Sequence, residues 1–191
     1  MSIPDRYRQF ARDLVTSKEL DPMYDFMANA RIAYGNDWAD RYSLYLFMFY
    51  DARGAIAAAD ALDFWAYVRR VYDTAKRGSE RRHFRGAKGW DAITTMSYSS
   101  PTEIWNAMYR PNYKDLYYNI VNNFEGCQIG DYFRWKTMDI FDRTMSKPVS
   151  LSMYEACLLL PESPRKCAKD SFPDHTLKGV LEGIKAVIES E

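Results

Sequence analysis

The sequence predicts an all-α protein, a single globular helical domain over residues 1–191. Three observations lead there. Apolar residues recur at the three-and-four spacing of a helix through every long segment. Stretches that alternate apolar and polar side chains, the mark of a half-buried strand, are absent, as are internal repeats and low-complexity linkers. Helix-start signals also stand in front of the periodic segments, the best of them being Ser100-Pro101-Thr102-Glu103, a capping box with proline in the first helical position. A hydrophobic content of 47% and an aromatic content of 16% supply a sizeable core and exclude disorder.

Taken in order, Ser2 caps a first helix with Pro4 in its opening turn, and Tyr7, Phe10, Ala11 and Leu14 follow at helical spacing. Asp21-Pro22 opens a second, carrying Met23, Phe26, Met27 and Ala30 and ending near Gly35. Asp37 is expected to cap a third, which runs through Trp38, Tyr42, Tyr45, Leu46 and Phe49 to a polar patch at Asp51–Gly54 and the small residues beyond it. That helix is apolar nearly all round, so it belongs at the buried centre. Leu62–Tyr72 is a fourth helix. Ser100 caps the next, and Pro111 restarts one that carries Leu116, Ile120 and Val121. A turn at Gly126–Gly130 leads into a helix over Asp131–Thr144, and a final amphipathic helix covers about 174–190.

Cys127, Cys157 and Cys167 have neither metal-ligand spacing nor a nearby histidine, which points to a reducing setting without a disulfide framework. The first ten residues are charged and lack an apolar stretch, and no uncharged run is long enough to span a bilayer. The expectation is a soluble cytoplasmic protein with no membrane partner. Walker, dinucleotide-binding, zinc and nucleophile-elbow patterns are all missing.

The charges are unevenly spread. Lys76–Lys88 holds Lys76, Arg77, Arg81, Arg82, Arg85 and Lys88 against the single acid Glu80, although Lys+Arg and Asp+Glu balance at 26 each over the chain. Such a run is either a solvated loop or a local anion site. The fork of Arg81, Arg82 and Arg85 suits phosphate or pyrophosphate. Cations around His83 keep its imidazole neutral near pH 7. Gly78 and Gly86 bracket the run, and Phe84 within it reads as structural.

A second constellation lies on the helix over Asp131–Thr144. Lys136, Asp139 and Arg143 share one face, with Tyr132 one turn earlier. They form either an exposed charge ladder or a site in which Asp139 is a general base or orienting carboxylate and Lys136 or Arg143 holds an anion. Asp51 and Arg53, after the most apolar helix, either pair within the protein or line a pocket.

Three segments in this order carry a family likeness: RYSLYLFMFYDARGA with DFWAYV downstream, ERRHFRG, and IGDYFRWKTMDIFDR followed by PV. Over about residues 20–165 the chain resembles the bacteriophage amino acid:DNA transferases of thymine hypermodification, the alpha-glutamyl/putrescinyl-thymine pyrophosphorylases. The resemblance implies a helical fold akin to helix-hairpin-helix DNA glycosylases. It also implies replacement of the pyrophosphate on 5-pyrophosphoryloxymethyl-uracil in phage DNA by the amine of an amino acid or polyamine. Gly126 and Gly130 are four apart where the glycosylase hairpin has two. On matched positions the resemblance assigns catalysis to Asp139, Lys136 and His83, with Asp51 as a second carboxylate. It assigns pyrophosphate binding to Arg81, Arg82, Arg85 and Arg143; Arg53, outside the matched positions, is added to them from its place beside Asp51. Trp135, Tyr132 and Tyr50 are candidates to stack on a base flipped from the duplex. No cofactor is specified beyond a Mg²⁺ that would accompany the pyrophosphate. The same residues also suit a glycosylase-like base-excision enzyme or a non-catalytic DNA-binding module.

Overall fold

A computed structural model describes residues 22–76, Phe84, 86–124, Cys127 and 129–152, and beyond them Leu159, Lys166, Lys178, Gly179 and Glu182. The helix expected from Ser2, most of the basic run (77–83 and 85) and most of the tail lie outside the described residues.

Among the described residues eight helices follow one another: α1 Pro22–Tyr34, α2 Asn36–Phe49, α3 Ala52–Ala59, α4 Phe64–Val71, α5 Gly86–Met96, α6 Pro101–Met108, α7 Tyr113–Asn123 and α8 Asp131–Thr144. Among the described residues there is no strand, only one parallel bridge between Asn112 and Ser150. The protein is all-α, as its periodicity requires. None of the helices in the described residues is long and apolar enough to cross a membrane.

The centre is α2. Every residue from Tyr42 to Phe49 is buried, together with Ala39 and Asp40. Helices α1, α3 and α6 pack on it, while α8 lies against α1 and α7. Phe47 meets three rings from distant parts of the chain edge-on, Phe84 at 6.3 Å, Trp105 at 5.7 Å and Phe133 at 5.6 Å between centroids. Such T-shaped contacts add specific geometry to the area that aromatic rings bury.

Local chemistry sets the helix ends. The box at α6 is complete: Ser100 Oγ accepts from Glu103 N at 3.2 Å, and Ser100 N donates to Glu103 Oε2 at 2.7 Å. The Ser100 amide, and after it the Ser100 hydroxyl, which donates to the same Oε2 at 2.9 Å, hold the Glu103 carboxyl below its ordinary pKa of 4.5. Helix α4 starts later than the expected Leu62, because Asp63 caps it by accepting from Ala66 N at 2.9 Å and Leu62 is fully exposed. Asn112, not Pro111, caps α7.

Two expectations at α2 need correction. Its cap position is Gly35, in a left-handed conformation at φ 86°, and Asp37 sits inside the first turn, paired with Arg41 at 2.9 Å. The small residues after the polar patch form a helix of their own, α3. Tyr50 takes the left-handed conformation (φ 55°) and closes α2, its backbone N–H donating to Leu46 O at 2.7 Å. Asp51 then caps α3, accepting from Gly54 N at 3.2 Å. Gly54 has no room for a side chain, since a Cβ there would stand 2.6 Å from the Tyr45 hydroxyl and 2.5 Å from Asp51 Oδ2.

Candidate functional site

Helix α8 has the bounds its sequence predicts, and its three charged residues do come together. Asp139 Oδ2 lies 3.5 Å from Lys136 Nζ, and Asp139 Oδ1 lies 3.7 Å from Arg143 Nε. Tyr24, from α1, completes the group across 115 residues of sequence: its hydroxyl donates to Asp139 Oδ2 at 3.5 Å and accepts from Lys136 Nζ at 3.3 Å. Both cations also face its ring, at 5.4 Å for Lys136 and 5.9 Å for Arg143. Asp139 is the most enclosed of the three, its side chain 16% exposed against 28% for Lys136 and 37% for Arg143. The cluster therefore carries two cations per carboxylate with the cations nearer to solvent. Chemically, it can hold an anion on Lys136 and Arg143 while Asp139 orients or deprotonates a neighbouring donor.

The three rings proposed to stack on a base have different settings. Tyr132 is 40% exposed, its ring edge-on to Phe133 at 5.3 Å. Trp135 is half-buried on the α7 side, against Tyr113 at 5.3 Å. Tyr50 stands at the turn from α2 to α3, half-buried against the core. Asp51 spends its carboxylate on the α3 amide, and Arg53 is exposed on that helix.

Arg81, Arg82, His83 and Arg85 lie outside the described residues. The margins of their segment are well fixed. Phe84 is wholly buried, as the sequence reading expects. Tyr72 donates to Gly86 O at 2.9 Å, and Gly86 is left-handed at φ 60°. The close backbone approach sits one turn further on, at Gly89, where a Cβ would come within 2.6 Å of the Phe84 carbonyl carbon.

Sequence reasoning missed Tyr24, and it missed a second polar group at the start of α8. There Arg134 donates to Tyr117 Oη at 3.0 Å and pairs with Asp131, while its guanidinium lies 4.7 Å from the Tyr117 ring centroid. Burial first, and then the hydrogen bond to Asp131, raise the pKa of the Tyr117 phenol. A cleft of about 540 Å³ opens beside Arg134, lined by Ile120, Phe124, Ile129 and Gly130. The Asp131/Arg134 spacing was a visible signal; Tyr117, from another helix, was not. Nearby, the Tyr113 hydroxyl is buried with no hydrogen-bond partner among the described residues, and burial raises its pKa. Cys127 is a buried free thiol, pushed up to about 11 by desolvation. Among the described residues no three His, Cys, Asp or Glu side chains gather as metal ligands.

Among the described residues, the class of protein is thus a helical one that carries a cation-rich cluster around one carboxylate. Comparison with known proteins narrows the class. No family model matches the chain. A putrescinyltransferase of Delftia phage PhiW-14 is 30% identical to it over 157 residues, 78% of this chain and 48% of that protein. This likeness supports the bacteriophage transferase family that its three sequence segments resemble. It spans about half the length of that curated relative.

Proposed function

We propose that the protein is a DNA-modifying transferase that joins an amine to the 5-methylene carbon of 5-pyrophosphoryloxymethyl-uracil and releases pyrophosphate. The observation that carries this reading is the Lys136–Asp139–Arg143 cluster under Tyr24, found in a relative of a phage putrescinyltransferase. A C–N bond forms as the C–O bond to the diphosphate breaks, and the amine gives up a proton. Lys136 and Arg143 neutralise the charge growing on the diphosphate, with Arg81, Arg82, Arg85 and His83 as further anion ligands and Arg53 at the margin. Asp139 holds the incoming ammonium in line or accepts its proton. Asp51 is the second choice for that role, because its carboxylate already serves the α3 cap. Trp135, Tyr132 and Tyr50 would receive the flipped base, and Mg²⁺ would arrive with the diphosphate. In this reading the frame is akin to the helix-hairpin-helix glycosylases, with α7, the turn and α8 as the hairpin.

The test incubates the protein with DNA bearing 5-pyrophosphoryloxymethyl-uracil and either putrescine or a pool of amino acids, then analyses digested nucleosides by mass spectrometry. An amino-substituted nucleoside supports the proposal. Free base or abasic sites would replace it with a glycosylase, and unchanged DNA with a binding module. Asp139→Asn should abolish the product. If Asp139 acts as base, raising the pH partly restores the variant as the amine deprotonates itself; if it only positions the ammonium, it does not.

A further inference from the structure

Residues 69–91 carry eight Lys and Arg against three Asp and Glu, within a chain whose formal charge is zero. In the described part of this stretch, α4 and α5 meet at Tyr72. Arg69 and Arg70 occupy the last turn of α4, Lys76 follows it, and Lys88 and Trp90 lie at the start of α5; all five are exposed. The two helix ends are joined by the bond from Tyr72 to Gly86 O at 2.9 Å and by the edge-on contact of Tyr72 with Trp90 at 5.3 Å. Asp73 and Asp91 are the acids on the described part of the stretch.

Internal electrostatics do not account for this arrangement. Lys88 sits in the first turn of α5, where the helix dipole disfavours a cation and which holds no acid of its own. Trp90 leaves 39% of its surface in solvent although its neighbours Gly89, Ala92 and Ile93 are buried. Exposed cations at solvent-facing positions give little to a single small anion, because water and salt screen each one. Along a polyanion they act together by releasing condensed counterions. An exposed aromatic ring among them supplies a face on which an unstacked base can lie.

We infer that the α4–α5 surface (Arg69, Arg70, Lys76, Lys88 and Trp90) docks the phosphate backbone of DNA, apart from the Lys136–Asp139–Arg143 cluster. The inference rests on DNA being the substrate, and adds where the strand is gripped. Backbone contacts of this kind position the nucleic acid without reading its sequence.

The test is fluorescence anisotropy of a labelled unmodified DNA duplex with a short single-stranded overhang, titrated with the full chain at several salt concentrations. Arg69→Gln/Arg70→Gln/Lys88→Gln should make the negative slope of log affinity against log salt shallower by about 2–3, roughly 0.9 per lost phosphate contact. Trp90→Ala should weaken binding at fixed salt while leaving that slope unchanged. Lys114→Gln, an exposed cation on α7, is the control and should change neither. Circular dichroism melts confirm that each variant is folded; should the triple variant not fold, Lys76→Gln/Lys88→Gln replaces it, with a slope expected to be shallower by about 2. An unchanged slope, an equal loss in the Lys114→Gln control, or no binding by the parent chain overturns the inference. Failure of amine transfer with the slope loss intact would instead remove the proposed reaction and leave the surface standing.

Discussion

On the inward side of α8, Phe133 meets Phe47 and Phe141 meets Trp105, at ring separations of 5.6 and 5.7 Å, with Phe141 wholly buried. On its charged side, Asp139 stands 3.5 and 3.7 Å from its two cations, well beyond the separation of a tight charge-assisted bond. The same helix is thus close-packed on one face and loosely paired on the other. Shape complementarity leaves the inner face one arrangement. The charged face keeps its groups close enough to act together, yet free to re-pair around a third group.

The sharpest break of that contrast is on the inner side. Phe47→Ala removes the ring on which Phe84, Trp105 and Phe133 converge and should cost roughly 3–5 kcal/mol in denaturant unfolding. A loss under about 1 kcal/mol would mean that the core relaxes around the gap. Next is a polar pair that should behave like the core. Asp40, 4% exposed, accepts from Arg31 and from Thr102 at 2.7 Å, and Arg31 also donates to Thr144 O at 3.1 Å. Asp40→Asn leaves the Arg31 guanidinium short of its counter-charge and should cost about 3 kcal/mol by the same measurement.

A smaller effect is expected at the α6 cap, where Ser100→Ala should cost about 1 kcal/mol. It also has a pH signature. The folded Glu103 carboxyl is held below its ordinary 4.5, so its contribution is present above that value. It is lost as pH falls through the lowered folded value. Melting temperatures of the parent and the Ser100→Ala variant should therefore converge towards acid pH. The least change in stability belongs to the charged face: Asp139→Asn should shift unfolding by less than about 1 kcal/mol while abolishing transfer. A core-sized loss there would make the cluster a structural element.

What could be read in advance divides along the same line. The α8 bounds, the central α2, the buried Phe84 and the Ser100 box are each encoded within a few neighbouring residues. The Lys136–Asp139–Arg143 ladder was legible because its spacing fixes a common face. Tyr24 was not, since its place over Asp139 depends on how α1 packs on α8, and no local pattern expresses that. Arg31, Asp40 and Thr102 meet for the same kind of reason. Asp51 differs again: its carboxylate meets the Gly54 amide at the start of α3, a need that becomes visible only once the small residues after it form a helix of their own.

The bridge between Asn112 and Ser150 looks minor, yet it bears on how the molecule opens. Ser150 N donates to Pro111 O and Tyr113 N donates to Ser150 O, each at 2.8 Å, so the ends of the stretch holding α7 and α8 are fastened to each other. A segment closed in this way tends to unfold as one cooperative unit. The Tyr113 and Ser150 amides should therefore share one slow exchange rate with the middle of α8, as measured by native-state hydrogen exchange. The charged face of α8 would then be lost in a single step with α7, and would not fray from its end.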